Sequence, residues 1–228
     1  MSTTPAESPP GRGRPKDPQR EAKARDSLLK AAAKLLKTKS YTDISIRELG
    51  AEAKLNSAMI SYYFGSKEDL FFQVLKRGIG DEAFQTLGRL GADPTVAPLE
   101  KLQTLIRTFV CLHHDHPWIS RLIIDQVVLQ QGKLRRLFIQ NIVRKNEAMI
   151  RGLIEELVQC GEFREDLDIE YARTSLISLL AFPFVAAPML KDAVDFDLYR
   201  MDVEPWVRHT FTLFIAGCAA APQLREDG

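Results

Sequence analysis

The sequence predicts an all-α fold of about nine helices: a short N-terminal three-helix unit followed by a larger helical domain. Three observations carry this. Apolar residues recur at three- and four-residue intervals along most of the chain, and no stretch sustains an alternation of apolar and polar residues. Residues that favour helix starts stand before several of these runs, and glycine or proline follows them. The length, 228 residues, is long for one core, so a small module plus a larger one fits.

Residues 1–18 read as a separate arm, rich in Pro, Ser, Gly and Arg, with no apolar face to bury, and disorder is expected there in the free chain. A first helix is expected over 19–38, where Leu28, Ala32, Leu35 and Leu36 share one face. A second starts at Ser45, which forms a capping box with Glu48, and ends near Ala53. A third starts at Asn56, a favoured N-cap, and stops before Gly65. A fourth opens on the similar pair Ser66 and Asp69 and is drawn to about Leu90. After a break over 91–98, helices are expected over 98–115, 118–130 and 134–160, with Gly161 as the stop of the last. Asp168 caps an eighth, kinked or split by Pro183 and Pro188, and a ninth covers 204–219. The expected organisation is an arm over 1–18, a three-helix domain over 19–78 and a helical domain over 79–222.

The net charge of +1 hides an asymmetry. Residues 1–79 hold fifteen Lys and Arg against nine Asp and Glu, whereas the remainder holds sixteen against twenty-one. A basic N-terminal third on an acidic body points to a polyanion partner for that third alone. Within it, two short helices are joined by Lys54-Leu55-Asn56. Ile46, Leu49, Ala53 and Leu55 are expected to pack inward with Ile60 and Phe64, which is the pattern of a DNA-binding helix-turn-helix. The outward residues of its recognition helix are then Asn56, Ser57, Ala58, Met59, Ser61, Tyr62 and Tyr63. Small side chains at 57, 58 and 61 allow close approach to the major groove, and tyrosine hydroxyls suit phosphate oxygens. Lys67 offers a phosphate both a charge and a helix-start N–H. In the arm, Arg12-Gly13-Arg14 with Lys16 resembles an AT-hook core, whose extended Arg-Gly-Arg suits a narrow A·T-rich minor groove.

The run from Ser61 through Tyr62, Tyr63, Phe64, Gly65, Ser66, Lys67, Glu68, Asp69 and Leu70 to Phe71 resembles the signature of the tetracycline-repressor (TetR-type) family. Thr42, Ser45-Ile46-Arg47-Glu48-Leu49, Ala51 and Ala53 are similar to its second helix, and Gly161-Glu162-Phe163-Arg164 with Asp166 to a later stretch. The resemblance implies a homodimer that binds double-stranded operator DNA in successive major grooves, represses transcription and leaves on binding a small molecule. It also implies base or phosphate contacts for Asn56, Ser57, Ala58 and Ser61, and phosphate contacts for Ser45, Tyr62, Tyr63 and Lys67; Arg47, in the second helix, is a further candidate for DNA contact. Lys54 stands where the family usually has Gly. If it keeps a positive φ, strain of roughly 1 kcal/mol is expected.

The helices over 168–188 and 204–219 are the candidates for pairing with a second copy, since residues 175–190 carry no charge. A ligand cavity is expected among the middle helices, with Phe109, His113, Trp118, Phe138, Met149, Phe182 and Phe184 as candidate lining. An alternative is a helical metal-dependent enzyme or metal sensor built on His113 and His116, an i, i+3 pair. At a helix end, though, histidines also satisfy free carbonyls. No Gly-rich phosphate loop, Gly-x-Ser-x-Gly or His-Glu-x-x-His occurs, so neither an enzyme nor a cofactor is expected. Cys111, Cys160 and Cys218 each lie in an apolar helical stretch and read as buried free thiols of a reducing compartment. No apolar run is expected to reach the roughly 20 residues of a membrane span, and no signal-peptide core is evident, which places the chain in the cytoplasm.

Overall fold

The computed structural model describes residues 17–79, 87–91 and 93–220. The arm residues Arg12, Arg14 and Lys16 lie outside the described residues. Ten α-helices occur among those described: α1 (Pro18–Leu36), α2 (Ile46–Ala53), α3 (Ala58–Phe64), α4 (Lys67–Gly78), α5 (Pro98–Asp115), α6 (Pro117–Ile123), α7 (Lys133–Phe138), α8 (Arg144–Gln159), α9 (Ile169–Val194) and α10 (Val203–Cys218). Residues 87–91 are helical as well. A π turn (Ile124–Val128) extends α6, and a second (Ile139–Val143) joins α7 to α8 without a break, so the single helix expected over 134–160 is a rod with a wider turn inside it.

Local chemistry sets most of these boundaries. Asp17 accepts from the N–H groups of Gln19 and Arg20, with Pro18 pre-set at the first helical position. Ser45 accepts from the N–H of Glu48 at 3.1 Å, Ser66 from that of Asp69 at 3.2 Å and Asp168 from that of Tyr171 at 3.0 Å. Lys54 keeps a left-handed conformation with φ 56°. Its N–H reaches Ala51 O and that of Leu55 reaches Gly50 O, which is a Schellman ending built without glycine at its left-handed position.

Two expectations about this region need correction. Ile46 is 42% exposed, because the first turn of α2 projects beyond the core. Its place is taken by Ile44 on the other side of the cap, which is fully buried in one cluster with Leu49 as a hydrophobic staple. Met59 and Tyr63 do not point outward; both are half-buried against the same cluster as Ile60.

The apolar interior forms two clusters. One holds Leu28, Leu36, Ile44, Leu49, Ile60, Leu70, Phe71 and Leu75 from α1–α4 together with Trp118, Ile119, Leu122, Leu134 and Phe138 from α6 and α7. The other is built from α5, α8, α9 and α10 around Leu102, Ile106, Ile154, Leu157, Leu176, Leu180 and Phe214. The first three helices therefore share a core, through α4, with the middle of the chain. Two cations brace this joint: Arg121 of α6 donates to the carbonyl of Leu36 at the end of α1, and Lys133 of α7 donates to Asp69 of α4. A buried Leu or Phe contributes about 1.5–3 kcal/mol, whereas an exposed ion pair contributes about 0–1, so the apolar contact holds the joint and the cations orient it.

Pro183 and Pro188 do not divide α9, which runs for 26 residues. By length and composition it is apolar enough to cross a bilayer, contrary to the sequence expectation. Its inward face, Leu176, Leu180, Phe184 and Ala187, is packed in the second cluster. Cys111 is half-buried and Cys218 buried, but Cys160 is exposed, because it caps the end of α8 beyond the last packed turn.

Candidate nucleic-acid interface

The helix pair α2–α3 is held close by a glycine. A Cβ at Gly50 would stand 2.9 Å from Leu55 O, 3.0 Å from Ser57 N and 3.1 Å from Ser57 Cα, so the backbone of the turn rests directly on α2. Asn56 then starts α3 by accepting from the N–H of Ala58 at 2.8 Å. Its side-chain amide N–H groups have no partner among the described residues. Gly65 (φ 88°) ends the helix. Arg25 of α1 donates to the carbonyl of Tyr63 in its last turn and lies 4.6 Å above the Phe64 ring.

With Ile60 buried beneath, α3 presents Asn56, Ala58, Ser61 and Tyr62 to solvent, with Ser57 half-buried. Tyr62 is 59% exposed and meets Tyr63 edge-on at 5.0 Å. Ser45 and Arg47 are exposed beside them at the start of α2, and Lys54 at the turn. Among the described residues neither Arg47 nor Lys54 has an ion-pair partner, so each can offer its charge to a polyanion. The sequence reading passed over Gly50, whose signal was a glycine inside a capped helix, and Lys54 as a charge.

Lys67 behaves differently from the expectation. Its ammonium donates to the carbonyl of Tyr41 at 2.7 Å and lies 4.2 Å above the Tyr41 ring. Burial lowers its pKa against the opposing pull of Glu68 and Asp43. The amine is thus a strut between the loop before α2 and the start of α4, and only the helix-start backbone remains for a phosphate.

The second domain contains a cavity, away from most of the residues expected to line one. A space of about 780 Å³ opens between the end of α4, residues 87–91, α5 and the rod formed by α7 and α8. Of the seven candidate residues only Met149 lines it. Trp118 and Phe138 belong to the first cluster; the Trp118 ring lies so close to α4 that a Cβ at Gly78 would come within 2.7 Å of it. Phe109 stacks on His113 at 4.3 Å, and His113 meets Phe184 at 5.3 Å, which closes that region instead of opening it. Phe182 is 60% exposed, since it lies opposite the inward stripe of Leu176, Leu180 and Phe184.

His113 is buried, its Nδ1 lies 2.6 Å from Ser120 Oγ, and burial lowers its pKa to about 4. His116 caps the end of α5 and faces Trp118 at 6.2 Å. Among the described residues no group of three or more His, Cys, Asp or Glu could hold a metal ion, so the metal-based alternative finds no support.

Residues 28–74 match the family model described as bacterial regulatory proteins, tetR family, and residues 98–213 match that of the tetracyclin repressor-like C-terminal domain. The HTH-type transcriptional repressor NicS of Pseudomonas putida is 30% identical over 214 residues, covering 92% of this chain and 88% of that protein. The HTH-type transcriptional repressor KstR2 of Mycolicibacterium smegmatis is 29% identical over 164 residues, covering 68% and 75%. The crystal structure of FadR from Bacillus subtilis in complex with stearoyl-CoA superposes with a TM-score of 0.67 at 19% identity, over 84% of this chain and 98% of that one.

Proposed function

This chain belongs to the tetR family of bacterial regulatory proteins, and on that premise we propose that it represses transcription as a cytoplasmic homodimer, gripping operator DNA until a small molecule releases it. The observation that carries the reading is the exposed face of α3. Asn56, Ala58, Ser61 and Tyr62 offer short polar groups and one phenol at a height suited to base edges and phosphates. Ser45, Arg47 and Lys54 flank them toward the sugar–phosphate backbone. Ser57 and Tyr63 contribute from the margins of that face, and Lys67 through its backbone N–H. Residues 1–18 form a basic arm, 19–78 the DNA-binding domain and 79–222 the effector and dimer domain.

Two copies must place their recognition helices about 34 Å apart to enter successive major grooves. A solvent-facing stripe on α9, with Tyr171, Phe182, Val185 and Met189, and Leu213 on α10 supply apolar surface for that pairing. The cavity beside α4 is the effector site. Whatever fills it acts on the helix whose start carries Ser66 and Asp69, a few residues from Tyr62. Release then follows from different affinities of two conformations, so bound DNA must weaken effector binding by the same factor. The reading requires no catalytic step.

Selection of bound duplexes from a random pool by the full chain, followed by gel shift with Tyr62→Ala, tests this. We expect a two-fold symmetric site, bound at least tenfold more weakly by the variant. Retention of no duplex even in dilute salt would overturn the reading.

A further inference from the structure

We propose a second DNA contact beside α3: Arg12-Gly13-Arg14 enters the minor groove that flanks the major groove read by α3, and the exposed Arg20 holds the phosphates between them. The partner surface is a narrow, A·T-rich minor groove. This rests on the regulator reading above and adds a sequence preference beyond the reach of α3. The start of α1 is tied to the end of α3, since Arg25 donates to the carbonyl of Tyr63 and lies 4.6 Å above the Phe64 ring. Arg20, Ala24 and Leu28 follow at four-residue spacing and share one face of α1. Ala24 and Leu28 are buried, whereas Arg20 is exposed, so this face runs on past the core and ends in a guanidinium. Lys23 is exposed three residues later, and among the described residues neither cation has an ion-pair partner. Of the two carboxylates nearby, Asp17 accepts from the N–H groups of Gln19 and Arg20, and Glu21, as an immediate neighbour on a helix, does not face Arg20. Asp17 is extended, with φ −89° and ψ 106°, as Pro18 favours for the residue before it, so the chain enters α1 extended.

Residues 12–16 lie outside the described residues, and their chemistry is written in the sequence. Pro15 disfavours the helical region at Arg14 just as Pro18 does at Asp17. Gly11 and Gly13 carry no side chain, so a backbone through them fits the floor of a groove about 6 Å wide. The guanidiniums of Arg12 and Arg14 then meet a negative potential that is enhanced where A·T tracts narrow the groove. A G·C pair would put the guanine amino group in their way. Lys16 comes last before α1 and suits a phosphate at the groove edge. The reach is sufficient. Pro18 stands about 10 Å of helix before Arg25. An extended stretch over 12–16 spans about 17 Å. Half a turn of DNA, the step from a major groove to the minor groove beside it, is also about 17 Å.

The test starts from the tightest duplex that the full chain selects from a random pool. Adenines outside its two-fold site are replaced by 2,6-diaminopurine, which adds an amino group in the minor groove and leaves the major-groove edge unchanged. The full chain is expected to select A·T-rich flanks and to bind the diaminopurine duplex at least tenfold more weakly. Arg12→Ala with Arg14→Ala should bind both duplexes alike, with a salt slope lower by about two. Gly13→Leu keeps every charge and should lose the flank preference at an unchanged slope, which separates groove insertion from a solvated basic tail. Arg20→Gln should lower the slope by about one and keep the preference, and an unchanged slope would remove Arg20 from the contact. Flanks selected without A·T bias, equal affinity of the full chain for the two duplexes, or a Gly13→Leu variant that discriminates as well as wild type overturns the proposal. Each of these outcomes leaves the regulator standing, because α3 still selects a site. A chain that retains no duplex sinks both.

Discussion

Lys133, the first residue of α7, donates to the carboxylate of Asp69 and lies 3.3 Å from the Ser66 hydroxyl that caps α4. One rod of helix therefore touches the start of α4 at one end and lines the cavity along its length. The π turn between these regions, at Ile139–Val143, places Asn141 and Ile142 on the cavity wall. An extra residue per turn is a place where a helix changes register with little else disturbed.

This contact has a pH signature. Burial alone would raise the Asp69 carboxyl, but hydrogen bonds from Lys133 and Ser66 outweigh it and hold the group below its ordinary value of 3.8. A depressed carboxylate contributes stability above its unfolded pKa and loses it as the pH falls through the folded value. Wild type should therefore be more stable than Lys133→Gln at pH 7, with the gap closing below about pH 3.8. Urea titrations at both pH values check this; a gap that persists in acid rules out the ion pair as its source.

Gly50→Ala should destabilise the chain by about 1–3 kcal/mol, the usual cost of overpacking, because the added methyl meets the backbone of Leu55 and Ser57 and no flexible side chain can yield. Duplex affinity should fall further than stability at temperatures where the variant remains folded, since α3 is pushed off α2. Thermal unfolding and gel shift on one preparation separate the two effects.

At Lys54 the same turn predicts the opposite sign. A left-handed non-glycine residue costs about 1–2 kcal/mol, and glycine gives back roughly 0.5–1 through the freer unfolded chain. Lys54→Gly should therefore stabilise by about 0.5–1 kcal/mol in urea unfolding. Its duplex affinity should nevertheless drop, because the exposed charge is lost.

The contrast between these positions shows what the sequence could and could not disclose. Ser45, Ser66, Asp168 and Gly161 act on backbone groups within a few residues, so their roles are written locally. Gly78 is explained only by Trp118, forty positions later, and Lys101 only by Glu156. Where the cavity candidates lie was hidden for the same reason: aromatic identity suggested Phe182, but helix phase relative to Leu180 and Phe184 decided which way it faced. The recognition helix was legible because its exposed residues are bracketed by caps that fix its phase.

Arg47 and Lys67 make a discriminating pair on DNA. Arg47 is exposed and has no ion-pair partner among the described residues, so Arg47→Ala should weaken binding to all duplexes alike and reduce the salt slope by about one, with stability unchanged. The Lys67 amine is occupied by Tyr41, so Lys67→Met should lower thermal stability and leave the salt slope close to wild type. A full unit lost from the slope in Lys67→Met would show that the amine leaves Tyr41 for a phosphate when DNA arrives.

His113 gives the last expectation, in the middle of the chain. Burial lowers its pKa from 6.5 to about 4, so the folded protein keeps it neutral where the unfolded chain protonates it. The unfolded state therefore binds more protons between these values, and stability must fall as the pH drops through that window, by up to about 3 kcal/mol at roughly 1.4 kcal/mol per unit. His113→Gln removes the titration while keeping a polar group for Ser120. Its stability should be lower than wild type at pH 7 and should change less between pH 6.5 and 4. If wild type and variant lose stability in parallel across that range, the imidazole is not held neutral by the apolar stack of Phe109 and Phe184.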